Sequence, residues 1–95
     1  MADLPQTETI SVVDHEKVIM PRYKVLLHND DVTSMEHVVK ALRQVFKFDM
    51  EECVRIMIEA HNNGLALCTI ESLEQAELHR DQLQAFSLIA TIEPE

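Results

Sequence analysis

The sequence predicts an α+β domain in the order β-α-α-β-α-β, a three-stranded antiparallel sheet packed against three helices behind a flexible N-terminal tail. Three observations carry this expectation. Thr33 with Glu36, Asp49 with Glu52 and Ser72 with Gln75 are helix N-capping signatures, each followed by apolar residues three and four apart. Stretches of strand length, alternating or apolar, precede the first helix, separate the second from the third, and close the chain. One glycine and four aromatics among 95 residues argue for helices and short loops rather than a turn-rich sandwich.

Residues 1–21 show no sustained period of 2 or 3.6, and Pro21 closes them, so they are expected to form a flexible extension ahead of a folded domain at 22–95. From Arg22, the residues Tyr23, Val25 and Leu27 alternate with Lys24, Leu26 and His28, a strand pattern. The Thr33 box opens a first helix whose stripe is Met35, Val38, Val39, Leu42, Val45 and Phe46. Asp49 opens a second, with Cys53, Met57, Ala60 and His61 on its face. Gly64, the lone glycine, stands where a helix C-cap needs positive φ. "LALCTI", residues 65–70, reads as a buried strand. Ser72 then opens a third helix with Leu73, Ala76, Leu83 and Phe86 facing the core, and "SLIATIE" is the last strand. The simplest arrangement places all three helices on one face of the sheet.

A chain of 95 residues buries only about 60–70% of its extended surface, which is enough for one core. Seventeen acidic against eight basic residues give a net charge of -9, which repels nucleic acid and anionic lipid and favours a partner with a basic face. Cys53 and Cys68 are too few for a disulfide scaffold and read as buried free thiols. No stretch approaches the ~20 apolar residues that span a bilayer, and no leader pattern opens the chain. A soluble, cytoplasmic monomer without cofactor or metal is expected.

"HNDDVTSME", residues 28–36, is more polar than capping requires. Asn and Asp favour such turns because they bond their own backbone, which is the plain reading of Asn29, Asp30 and Asp31. His61 adds a second one, because it lies one turn after Met57 on the same helix face. If the first strand packs beside the second helix, its end brings the three acceptors to a cleft shared with that ring, over Met35, Val38 and Met57. A primary ammonium has three donors and no acceptor, so a carboxylate, an amide oxygen and a neutral imidazole suit it. A free peptide N-terminus with a large apolar first side chain presents that head and that body.

"YKVLLHNDDVTSMEHVV", the Met-x-x-Ala-His-x-x-Gly pattern from Met57 to Gly64 and the closing "ATIEPE" together resemble the ClpS family of adaptor proteins, over residues 21–95. The resemblance implies a three-stranded sheet with three helices. It also implies an adaptor that holds substrates by a bulky apolar N-terminal residue (Leu, Phe, Tyr or Trp) and delivers them to the N-domain of a Clp-type AAA+ unfoldase, ClpA-like or ClpC-like. It assigns Asn29, Asp30, Asp31 and His61 to the substrate's α-amine and first peptide unit, and Thr33, Met35, Val38, Met57, Ala60 and Leu88 to the side-chain pocket. Met35 matches the gatekeeper that disfavours β-branched guests. His28 departs from a usual aliphatic wall residue of that pocket. On the surface used for unfoldase docking, Glu74 matches an acidic position and His79 replaces a frequent lysine. The first 21 residues resemble the family's variable extension.

Two alternatives stand beside this reading. A metal site from His28, Asp30, Asp31 and His61 follows no common ligand spacing. A ligand-free domain docking on an ATPase would have no preference for the first residue of a peptide. No nucleophile elbow, phosphate loop or HExxH is present, so no enzyme is expected.

Overall fold

The computed structural model describes residues 20–95, so the expected flexible extension lies almost wholly outside the described residues. The elements are β1 (Arg22–His28), α1 (Met35–Phe46), α2 (Met50–Asn63), β2 (Leu65–Ser72), α3 (Leu73–Ala85) and β3 (Ile89–Pro94). This is the predicted order. The sheet runs β2-β1-β3 with both pairings antiparallel, so the first strand is central.

Local chemistry explains most boundaries. Asp49 caps α2 by accepting from Glu52 N at 2.8 Å, and Ser72 caps α3 by accepting from Gln75 N at 3.3 Å. Gly64 closes α2 at φ 91° while its N–H donates to Ala60 O at 2.9 Å. The first helix differs from the expectation. Its cap is Ser34, whose Oγ accepts from His37 N at 3.1 Å, because the Thr33 hydroxyl is drawn to Asp30 Oδ2 at 2.7 Å. Its other end is Lys47 at φ 64°, a left-handed residue that no glycine announces.

Val25, Leu42, Cys53, Ile56 and Leu83 are the largest fully buried side chains, and they join β1 to all three helices. Ile56 supplies the α2 contact that the expected stripe omitted. Leu73, expected in the core, is 41% exposed at the first position of α3, where the helix has only just left the strand. β2 also differs: it runs on to Ser72, and only Ala66 and Cys68 are buried. Leu65 and Leu67 face the open side with Ile89, because the helices cover a single face of the sheet. The last strand begins two residues late. Ser87, at φ 69°, and Leu88 turn back on α3 through Ser87 N to Gln84 O and Leu88 N to Leu83 O, 2.8 and 3.2 Å.

Both thiols are free and buried. Burial raises the Cys53 thiol and pushes that of Cys68 up to about 12, so neither is a nucleophile at neutral pH. Among the described residues no helix is long and apolar enough to cross a membrane.

One backbone contact positions the site. Asn29 N donates to Gly64 O at 2.9 Å, extending the β1–β2 pairing one residue past His28 and Leu65. The acidic turn after β1 is thereby tied to the C-terminal cap of α2. His28 also pairs with Ile89 of β3, so the α3–β3 connection reaches the same end of the sheet.

Candidate functional site

At that end lies a cavity of about 250 Å³. Its rim carries Asn29, Asp30 and Asp31 from the turn and His61 from the last turn of α2. Met35 and Val38 of α1, Met57 and Ala60 of α2, and Leu88 beyond α3 form its apolar body, with Thr33 and His28 at the edges. Every residue expected at the pocket or its mouth lines this one cavity. Two residues that the sequence does not assign to the site, Leu27 and Ser34, complete it. Leu27 was legible as the last core-facing residue of β1, and Ser34 as the second hydroxyl of the turn.

The turn is internally braced. Asp30 Oδ1 accepts from Val32 N at 2.8 Å and its Oδ2 from the Thr33 hydroxyl at 2.7 Å. The Thr33 bond first, then the Val32 N–H, holds the Asp30 carboxyl below its usual 3.8, so it stays a carboxylate in ordinary buffers. Asn29 Nδ2 donates to Asp31 Oδ1 at 3.2 Å, which leaves the Asn29 amide oxygen free to accept. Val32 stands 93% exposed at the tip.

Three of the four histidines among the described residues are engaged. His28 Nε2 lies 2.7 Å from Thr91 Oγ1 on the neighbouring strand, so the departure at this wall position is tied to β3. His37 Nε2 donates to Phe86 O at 2.6 Å, holding α1 to the end of α3. His79 Nδ1 donates to Glu71 Oε2, and its ring packs edge-on against Phe46 at 4.8 Å. Among the described residues His61 has no hydrogen-bond partner, and it is exposed at the cavity rim. Of the two expected docking residues, Glu74 is exposed in the first turn of α3, whereas the His79 side chain is only 18% exposed.

The arrangement can hold a cation at its mouth and an apolar body beneath. It is not laid out for bond-breaking. The Thr33 hydroxyl donates to Asp30, that of Ser34 caps α1, and both thiols are buried in the core. Among the described residues no three His, Cys, Asp or Glu side chains converge as metal donors, and the His28 ring is already engaged by Thr91.

A family model described as "ATP-dependent Clp protease adaptor protein ClpS" matches residues 19–91. The chain belongs to the ClpS family. A ClpS adapter of Synechococcus sp. (strain CC9902) is 46% identical over 76 residues, which is 79% of this chain and 73% of that protein. One from Gloeobacter violaceus is 40% identical over 90 residues, 94% of this chain and 97% of its own length. Among solved structures, Agrobacterium tumefaciens ClpS2 bound to L-phenylalaninamide matches with a TM-score of 0.74 at 33% identity, covering 79% of this chain and 98% of that one. ClpS proteins are adaptors of a Clp protease, so this chain is an adaptor and not an enzyme.

Proposed function

We propose that the cavity binds the first residue of substrate proteins that begin with Leu, Phe, Tyr or Trp, and that the domain at 22–95 presents them to a ClpA-like or ClpC-like AAA+ unfoldase in the cytoplasm. One observation carries the reading: acceptors from two separate elements, the turn after β1 and the end of α2, stand together over an apolar hole of side-chain size. At about 250 Å³ it falls below the ~300 Å³ at which small-molecule pockets usually begin. A single large side chain suits that space better than a cofactor does.

In this reading Asn29, Asp30, Asp31 and His61 accept from the α-ammonium and first peptide unit. Met35, Val38, Met57, Ala60 and Leu88 hold the side chain, and the Thr33 hydroxyl holds the Asp30 carboxylate in place. L-Phenylalaninamide, the ligand of the solved relative, is a free amine carrying a bulky apolar side chain, which supports the same chemistry here. Met35, 53% exposed at the mouth, acts as the gate against β-branched residues. Docking on the unfoldase N-domain uses the start of α3 through Glu74, with His79 shaping that surface by its hold on Glu71.

Calorimetry with peptides beginning in Leu, Phe, Trp and Gly tests the proposal. The first three bind and Gly does not, and acetylating the amine costs about 2–5 kcal/mol, as for other buried charge pairs broken on one side. Equal affinity for free and acetylated peptides refutes amine recognition. Met35→Ala admits Ile and Val at the first position; continued exclusion of both removes the gate.

A further inference from the structure

A second depression joins the first. It is an open groove of about 460 Å³ between α1 and α2, and Met35 and Met57 line both it and the cavity. The two helices form a hairpin, so the start of α1 lies near the end of α2. Met50, Val54 and Met57 repeat at helical spacing along one face of α2, and His61 continues that face into the cavity mouth. Opposite them, Glu36, Val39, Lys40 and Arg43 share one face of α1. The groove therefore runs from the cavity at Met35 and Met57 towards Arg43 and Met50, with an apolar floor, Glu36 at its cavity end and two cations farther along its rim.

Met50 is 49% exposed there, an unbranched side chain that adapts to varied surfaces. Among the described residues neither Lys40 nor Arg43 forms an ion pair, although the chain as a whole carries -9. The spacing suits a peptide leaving the cavity. Lys40 and Arg43 lie five and eight residues past Met35, about 7.5 and 12 Å along α1 at ~1.5 Å per residue. An extended chain advances ~3.3 Å per residue, so about two to four residues cover that span.

We infer that the α1–α2 groove is a second substrate subsite, which takes an apolar side chain at position 2 or 3 of the bound N-terminus over Val39 and Val54, and an acidic one at position 4 or 5 beside Lys40 and Arg43, where the peptide also passes Met50. The inference rests on the reading of the cavity as an N-terminal residue pocket. It adds a preference beyond the first residue: carboxylates are repelled beside Asp30 and Asp31 and attracted a few residues later.

The test compares leucinamide, Leu-Gly-Gly-Gly-Gly and Leu-Leu-Val-Glu-Glu by calorimetry on the full chain, with methionine-methyl NMR of the same samples. The apolar–acidic peptide binds about tenfold tighter than the glycine peptide, the gain expected from partly burying one large side chain. It shifts the Met50 methyl, which leucinamide leaves in place. The exposed double change Lys40→Glu with Arg43→Glu removes the gain from glutamates and favours Leu-Leu-Val-Lys-Lys, with an effect that shrinks as salt rises. Equal affinities of the two peptides with an unmoved Met50 overturn the subsite while leaving the first-residue pocket standing. Equal binding of acetylated and free peptides fells the pocket and the subsite together. A Met50 shift that arises only when an unfoldase N-domain is added assigns the groove to that partner instead, and overturns the inference.

Discussion

His61 and His79 occupy two different ends of the molecule and meet opposite circumstances. His79 sits between Glu71 and Phe46, only 18% exposed, with its Nδ1–H committed to a carboxylate and its ring against an aromatic edge. His61 is exposed beside Asn29, Asp30 and Asp31, at the mouth of an apolar hole, with no partner among the described residues. A polar group whose bonds are already made contributes to holding the fold together; one left open among convergent acceptors is available to a ligand. The contrast separates structure from recognition more clearly than residue type does.

If the contrast is sound, changes at the two ends split cleanly between affinity and stability. Asp30→Asn has the largest expected effect. On the proposed reading it removes the charge that faces the substrate amine and weakens binding of a Leu-initiated peptide by about tenfold or more. The urea unfolding midpoint meanwhile moves little, because an amide oxygen can still accept from the turn. A stability loss as large as the affinity loss would erase the distinction. His79→Leu is the converse. Losing its hydrogen bond and leaving Glu71 half-buried without it costs about 1–3 kcal/mol of stability in the same unfolding assay, with peptide affinity unchanged.

The smallest effect sharpens the picture of the turn. Thr33→Val removes the bond that contributes most to lowering the Asp30 carboxyl, so an NMR titration of the variant finds that group moved back up towards 3.8. Asp30's folded value lies below its unfolded one, so its contribution to stability is complete above the unfolded value. It is lost as pH falls through the folded value. In the variant that loss begins at the same pH, is smaller, and is complete at a higher pH. An unmoved Asp30 resonance would mean that the backbone N–H groups of Val32 and Thr33 suffice to hold the carboxylate.

What was legible beforehand was local. Asp49, Ser72 and Gly64 announce their helix ends because each satisfies backbone groups within three or four residues, a range visible in the chain itself. The sequence does not separate Ser34 from Thr33, because two adjacent hydroxyls compete for one cap and the winner depends on Asp30 capturing the other. β2 is less buried than its apolar sequence predicts for a related reason. An apolar stretch records how much a strand can bury, whereas the placement of the helices decides which of its faces is covered.

The sequence by itself determined the order of elements, most of their caps, the composition of the acceptor-rich turn and the acidic balance, since all of these are properties of near neighbours or of totals. Only the tertiary structure decided that the turn meets His61, through the β1–β2 register and the Asn29–Gly64 hydrogen bond, and that Met35 and Met57 join a cavity to a groove. The physical reason is that both outcomes depend on residues 22 to 35 positions apart being brought together by packing around one core, for which the chain carries no local signal.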